Sequence, residues 1–210
     1  MKTSSGRIRQ QRSQPSLAIA AMVSGIALVV AVLAETSLAL MLLLLGSFAL
    51  LLVTSKWRRA SQEERRDIQQ KLLVGVCAGL IATAAYDLSR LIVVAVFDLN
   101  VSPFKAFPIF GQLIAGEDIS NSAAYLIGTL YHLANGTLFT VGYCFAFGKR
   151  HWLFGILWAL GLEVSMLTLY PGWLDLEGVM QEFTFMSMTG HIAYGATLGI
   201  LCQRWLANRI

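Results

Sequence analysis

The chain has 210 residues, of which 56% are hydrophobic and only 13% charged. Soluble domains carry about a quarter of their residues as charges, so this composition excludes an ordinary water-soluble globule and points to the membrane class. The net charge of +4 has no basic patch interleaved with base-stacking aromatics behind it, which argues against a nucleic-acid partner.

A bilayer-spanning helix needs about 20 mostly apolar residues. Six such runs follow one another: Ser16–Ala34, Ser37–Ser55, Leu72–Phe97, Ser122–Phe147, Trp152–Tyr170 and Phe183–Gln203. The fold expected is therefore an all-α integral membrane protein, a six-transmembrane-helix bundle whose first partner is the lipid bilayer. Residues 1–15 read as a basic, polar cytoplasmic tail held near anionic lipid heads. Residues 16–55 form an N-terminal transmembrane hairpin. The apolar run of its first arm is about 19 residues, beyond the usual 7–15 of a signal-peptide core, so it reads as a retained anchor.

Residues 56–71 are a cytoplasmic helical linker. Within "SQEERRDIQQK", Ser61 and Glu64 have capping-box spacing, which predicts a helix starting near Gln62 and running straight into the third span. Residues 72–210 form a four-helix transmembrane core. Its outer loop at 98–121 contains "PFKAFPIFGQLIAG", too apolar to be merely solvated, which predicts a short interfacial or re-entrant helix over the outer mouth. "YPGW" at Tyr170–Trp173 reads as the turn ending the fifth span. Trp57, Trp152 and Trp205 near the inner ends and Trp173 near the outer end fit interfacial belts.

Charge sets the orientation. Four basic residues precede the first span, six separate the second from the third, two separate the fourth from the fifth and two follow the sixth, which is 14 of 16 on one side. The opposite loops hold Lys105 against seven acids. The positive-inside rule then places both termini of this multi-pass protein in the cytoplasm.

The last four spans are broken by polar residues. Asp87 and Arg90 lie in the third span, His132 and Asn135 in the fourth, Glu163 in the fifth, His191 and Tyr194 in the sixth. At a rise of about 1.5 Å per residue, these groups fall ~10–20 Å below the outer ends of their spans. Each of the two hairpins has an acid on its outgoing helix and, on its returning helix, the histidine of a matching stretch, "HLANG" at His132–Gly136 or "HIAYG" at His191–Gly195. Gly75, Gly79, Gly136, Gly195 and Gly199 share faces with these groups and read as helix-packing positions.

Ionisable residues inside a membrane are costly, at about 2.5–3.5 kcal/mol for a charge at the helix centre, and mark functional sites. Four chemistries remain open from the sequence. His and carboxylate groups pass protons or handle a cation. His132, His191, Glu163 and Asp87 could ligate a divalent metal such as zinc or iron, with Arg90 or Tyr194 behind them, as in an intramembrane metalloenzyme. His132 and His191 could ligate haem b in a membrane oxidoreductase, with Gly136 and Gly195 leaving flat room for the porphyrin. A non-catalytic assembly or scaffold subunit would use the same layer only to lock helix packing. Cys77, Cys144 and Cys202 are odd in number, lack a C-x-x-C motif and lie towards the reducing side, which excludes a disulfide framework.

The stretches "YHLANGTLFTVGYCFAFGKRHWLFGILWALGLEVSMLTLYPGW", "TGHIAYGATLG" and "GLIATAAYDLSRL" resemble the YagU-like group of bacterial inner-membrane proteins of unknown function. The resemblance covers residues 72–205. It implies a polytopic inner-membrane protein, supplies no activity or cofactor, and leaves the two leading spans unmatched.

Overall fold

The computed structural model describes residues 14–168, 176 and 178–207. The expected tail up to residue 13, the "YPGW" turn and Trp173 lie outside them. The described residues form eight helices and no strand: α1 (Pro15–Ala21), α2 (Val23–Leu33), α3 (Leu38–Arg59), α4 (Gln62–Phe97), α5 (Ala106–Ala115), α6 (Asn121–Ala146), α7 (Leu153–Leu167) and α8 (Met180–Ala207).

The packing is that of a protein solvated by lipid. On α4, Leu72, Leu73, Leu80, Ile81, Leu88 and Ile92 point outward, while Gly75, Ala78, Gly79, Ala82 and Thr83 are buried. Large apolar side chains outside and small ones inside is the reverse of a water-soluble core, and it lets backbones approach closely. α3 and α4 are long and apolar enough to cross a membrane, and the bent α1–α2 pair makes a third crossing if counted as one. By length and composition alone, two helices, or three with the bent pair, qualify as crossings among the described residues. α6 and α8 have 26 and 28 residues, but their polar interruptions lower their hydropathy. α7 has 15 residues, about 22 Å of helix against a hydrocarbon core of roughly 30 Å.

The first apolar run is broken rather than straight. α1 and α2 meet at Met22 with a bend of 58°. Ser24 and Gly25 follow the break, and Gly/Ser pairs are a recognised cause of sharp kinks. Both residues tie α2 to α6. Ser24 Oγ donates to Asn135 Oδ1 at 2.6 Å, and a Cβ on Gly25 would stand 2.5 Å from the Phe139 ring. At the other end, Gln14 donates to Asp67, which also pairs with the fully buried Lys71 at 2.9 Å.

α4 starts as its residues dictate. The Ser61 side chain accepts from Glu64 N while Glu64 Oε2 accepts from Ser61 N, so both halves of the capping box are made. Ser61→Ala is expected to cost about 1 kcal/mol of local stability, read as faster amide exchange over residues 62–66.

α4 packs against α6 on one side and α8 on the other, and α7 packs against the far side of α8. Glycines set these approaches. A Cβ on Gly79 would lie 2.7 Å from Thr137 Cα, and one on Gly199 would lie 2.3 Å from the Trp152 carbonyl oxygen. A Cβ on Gly75 would meet Val141 Cα at 2.8 Å. Cys144 and Cys202 meet across α6 and α8 with sulfurs 3.2 Å apart, both buried and unoxidised. α5 lies against the N-terminal half of α6. There the contact is closest of all: a Cβ on Gly128 would overlap the Phe107 carbonyl, and one on Gly111 would overlap that of Ala124.

Candidate functional site

α4 carries Asp87 three residues before Arg90, so the two share a helical face. His132 of α6 comes to that face, with Nε2 at 3.1 and 3.2 Å from the two Asp87 oxygens. Arg90 is a looser partner, with Nη1 3.8 Å from Asp87. Its Nη2 donates instead to the Pro103 carbonyl of the outer segment, and its Nε has no hydrogen-bond partner although it is buried. The local neutralisation of Asp87 by Arg90 is thus secondary to the contact with His132.

A second pair repeats this arrangement. Glu163 of α7 is 0% exposed, and its Oε2 lies 3.0 Å from His191 Nδ1 on α8. The same Nδ1 lies 3.0 Å from the Ser187 carbonyl one turn back, in hydrogen-bonding geometry. Neither Glu163 oxygen has a hydrogen bond. Carboxyl and imidazole stand in direct contact within the helix layer.

Tyr86 joins the two pairs. Its ring centroid is 5.7 Å from that of His132 and 4.9 Å from that of His191, and the Arg90 guanidinium lies over it at 4.7 Å. Both histidines, Tyr86 and Arg90 line one cavity of about 70 Å³. At roughly 10–15 Å³ per water, it has room for about five water molecules. Ser102, Pro103 and Lys105, with Ala106, Phe107 and Phe110 from the first half of α5, form one wall. Phe107 packs on the His132 ring with centroids 4.7 Å apart.

The layer expected from sequence therefore divides into two sets. Asp87, Arg90, His132, Glu163 and His191 surround or back the cavity. Asn135 and Tyr194 reach it but are committed to packing. Asn135 accepts from Ser24, and Tyr194 OH donates to the Gly136 carbonyl at 2.6 Å while lying 2.8 Å from Thr140 Oγ1. Tyr194 therefore does not stand behind either histidine. Ser24→Ala is expected to lower stability by about 0.6–1.7 kcal/mol, the range of interhelical hydrogen bonds in membranes, measured as a lower thermal midpoint in detergent.

Two expectations are corrected by this geometry. Asp87, His132, Glu163 and His191 form two separate pairs, and among the described residues no three His, Cys, Asp or Glu side chains are placed to hold one metal ion. The flat space expected for a porphyrin is filled. A Cβ on Gly136 would stand 2.2 Å from Thr83 Oγ1, and one on Gly195 would stand 2.6 Å from the Gly155 carbonyl oxygen. Those glycines bring helices together.

Tyr86 was not legible as a site residue, because a tyrosine in an apolar helix reads as packing. Its one signal is its position four residues before Arg90. Ser24 and Gly111 with Gly128 were hidden for a related reason: small residues announce close contact without naming the partner.

Residues 69–209 match the family of unknown function DUF6789. No curated protein and no solved structure matches the chain. The resemblance to the YagU-like group finds no match of its own.

Proposed function

The chain belongs to the DUF6789 family, whose function is unknown, so activity has to be read from the site, and we propose that the protein handles protons through the outer-half layer of His132–Asp87 and His191–Glu163. In this reading the four polar helices and the leading hairpin stand in the bacterial inner membrane with both termini cytoplasmic. The observation that carries it is Glu163: a fully buried carboxyl with no hydrogen bond, 3.0 Å from a histidine that opens onto a cavity. A carboxyl serving only to lock helices would be expected to make its hydrogen bonds.

The chemistry follows from the arrangement. Histidine changes charge between about pH 5 and 8, and a carboxylate beside it stabilises the imidazolium. Waters in the cavity can connect the two histidines, while the Tyr86 ring packs against both. Asp87 supports His132 as Glu163 supports His191, so a proton taken up at one pair has an equivalent acceptor at the other. Asn135 and Tyr194 hold the helices that carry these groups.

The test is proton movement into proteoliposomes containing the purified protein, with a pH-sensitive dye inside and a potassium diffusion potential across the bilayer. The wild type is expected to change the internal pH faster than protein-free vesicles. The double variant His132→Ala/His191→Ala is expected to fall to the protein-free rate. Equal rates for the wild type and the double variant would overturn the reading.

A further inference from the structure

We infer that Cys144 and Cys202 form a reversible dithiol–disulfide site, which ties α6 to α8 when a small two-electron oxidant reaches it. The inference is independent of the proton reading. Both side chains are wholly buried, and their sulfurs stand 3.2 Å apart. A disulfide bond is about 2.05 Å long, so each sulfur has to move by only about 0.6 Å. A lone buried cysteine is a small apolar filler. These two face each other from helices 58 residues apart in the chain. The odd cysteine count excludes a framework of permanent bridges, and a pair that opens and closes is a different device.

The place of the pair gives the bond a consequence. α4 packs against both α6 and α8. The last two meet each other through side chains, with Tyr194 on Gly136 and Thr140 and, further along, Cys144 on Cys202. A disulfide turns the second of these contacts into a covalent tie and closes a loop that includes all of α7. Access comes from the helix ends. Cys144 lies two residues before Ala146, the last of α6, and Cys202 five before Ala207, the last described residue of α8. That is about 3 Å and 7.5 Å of helix, within the terminal turns that open locally.

The surroundings select the chemistry. Val74, Ala78, Leu198 and Leu206 share one cluster with the two sulfurs, and Phe147 and Trp205 pack against it. Charge is costly in such a setting, and a disulfide carries none. Among the described residues no third His, Cys, Asp or Glu joins the pair to hold a metal ion. The oxidant has to be small and uncharged, as hydrogen peroxide is. One thiol sulfur attacks a peroxide oxygen, the O–O bond breaks, and a sulfenic acid and one water form. The second sulfur then displaces the sulfenic oxygen: the S–S bond forms, the S–O bond breaks, and a second water carries away the remaining thiol proton. Two thiols are thereby oxidised by two electrons while one peroxide is reduced to two waters. A small dithiol reverses the reaction by taking the disulfide onto itself.

The test uses the full chain, reduced and reconstituted in nanodiscs. It is exposed to hydrogen peroxide below its thermal midpoint, denatured with a maleimide that caps every remaining thiol, digested and read by mass spectrometry. The peptides of Cys144 and Cys202 are expected to be joined by a disulfide, with Cys77 outside the link. Cys77 is the exposed thiol of the three, the one that exposure alone would select. Dithiothreitol is expected to restore both thiols, and the oxidised form to melt several degrees above the reduced one. Cys144→Ala is expected to remove both the link and the peroxide-dependent shift. Should that variant fail to fold, Cys202→Ala and the wild-type peptide map decide the matter. Three results would each overturn the inference: Cys144 and Cys202 both capped after peroxide has oxidised Cys77, a link from either of them to Cys77, or a link that forms only above the midpoint. A link that leaves the midpoint unchanged would overturn its role as a tie between α6 and α8.

Discussion

Glu163→Gln is expected to lower proton flux through the protein by about 10²-fold or more, the contribution of a positioned acid or base to proton transfer, while leaving the fold at least as stable. The two effects separate because of how Glu163 is held. Its side chain is wholly buried and its oxygens make no hydrogen bond, so the amide of the same shape loses none. Glutamine cannot accept or release a proton, so the His191 pair loses its second site. The measurement is flux in proteoliposomes beside the thermal midpoint of the same preparation. A drop in both would return Glu163 to a packing role, and an unchanged flux would remove it from the path.

Gly128→Val is expected to displace the outer cover of the cavity. The α5–α6 contact is backbone against backbone: a Cβ at Gly128 would overlap the Phe107 carbonyl, and Gly111 meets Ala124 in the same way. No side-chain rotation relieves such a clash, so α5 must move. Overpacking typically costs about 1–3 kcal/mol, enough to lower the thermal midpoint by several degrees. The more telling effect is local. Phe107 shields the His132 ring, so its removal should raise the rate at which an imidazole-acylating reagent modifies His132, read by mass spectrometry. His151, exposed on the α6–α7 turn, is the internal reference. An unchanged His132 rate would mean that α5 is not the cover.

Much of the architecture is legible in the residues themselves. The Ser61–Glu64 spacing marks the start of α4, and the Pro- and Phe-rich stretch marks α5. The echo of HLANG and HIAYG marks two hairpins in which an outgoing acid meets a returning histidine. What the sequence does not carry is helix rotation. Whether Asp87, His132, Glu163 and His191 gather at one point or in two pairs depends on which glycine meets which backbone, and those approaches are fixed by Val141, Thr137 and Trp152 on other helices. The bend at Met22 is only half legible: Ser24–Gly25 marks a weak point, but the residues it meets, Asn135 and Phe139, lie far along the chain. Length is the other limit. α7 is described over 15 residues, about 22 Å, so its apolar composition alone does not fix how far it reaches.

The central claim is that both His–carboxylate pairs exchange protons from within the helix layer. Nitrogen NMR of ¹⁵N-histidine-labelled protein in nanodiscs, titrated from about pH 5 to 8 where histidine changes charge, tests it most directly. The account predicts that His132 and His191 both change protonation state across this range, and that Glu163→Gln alters the titration of His191 more than that of His132. Two imidazoles locked in one state throughout would contradict it.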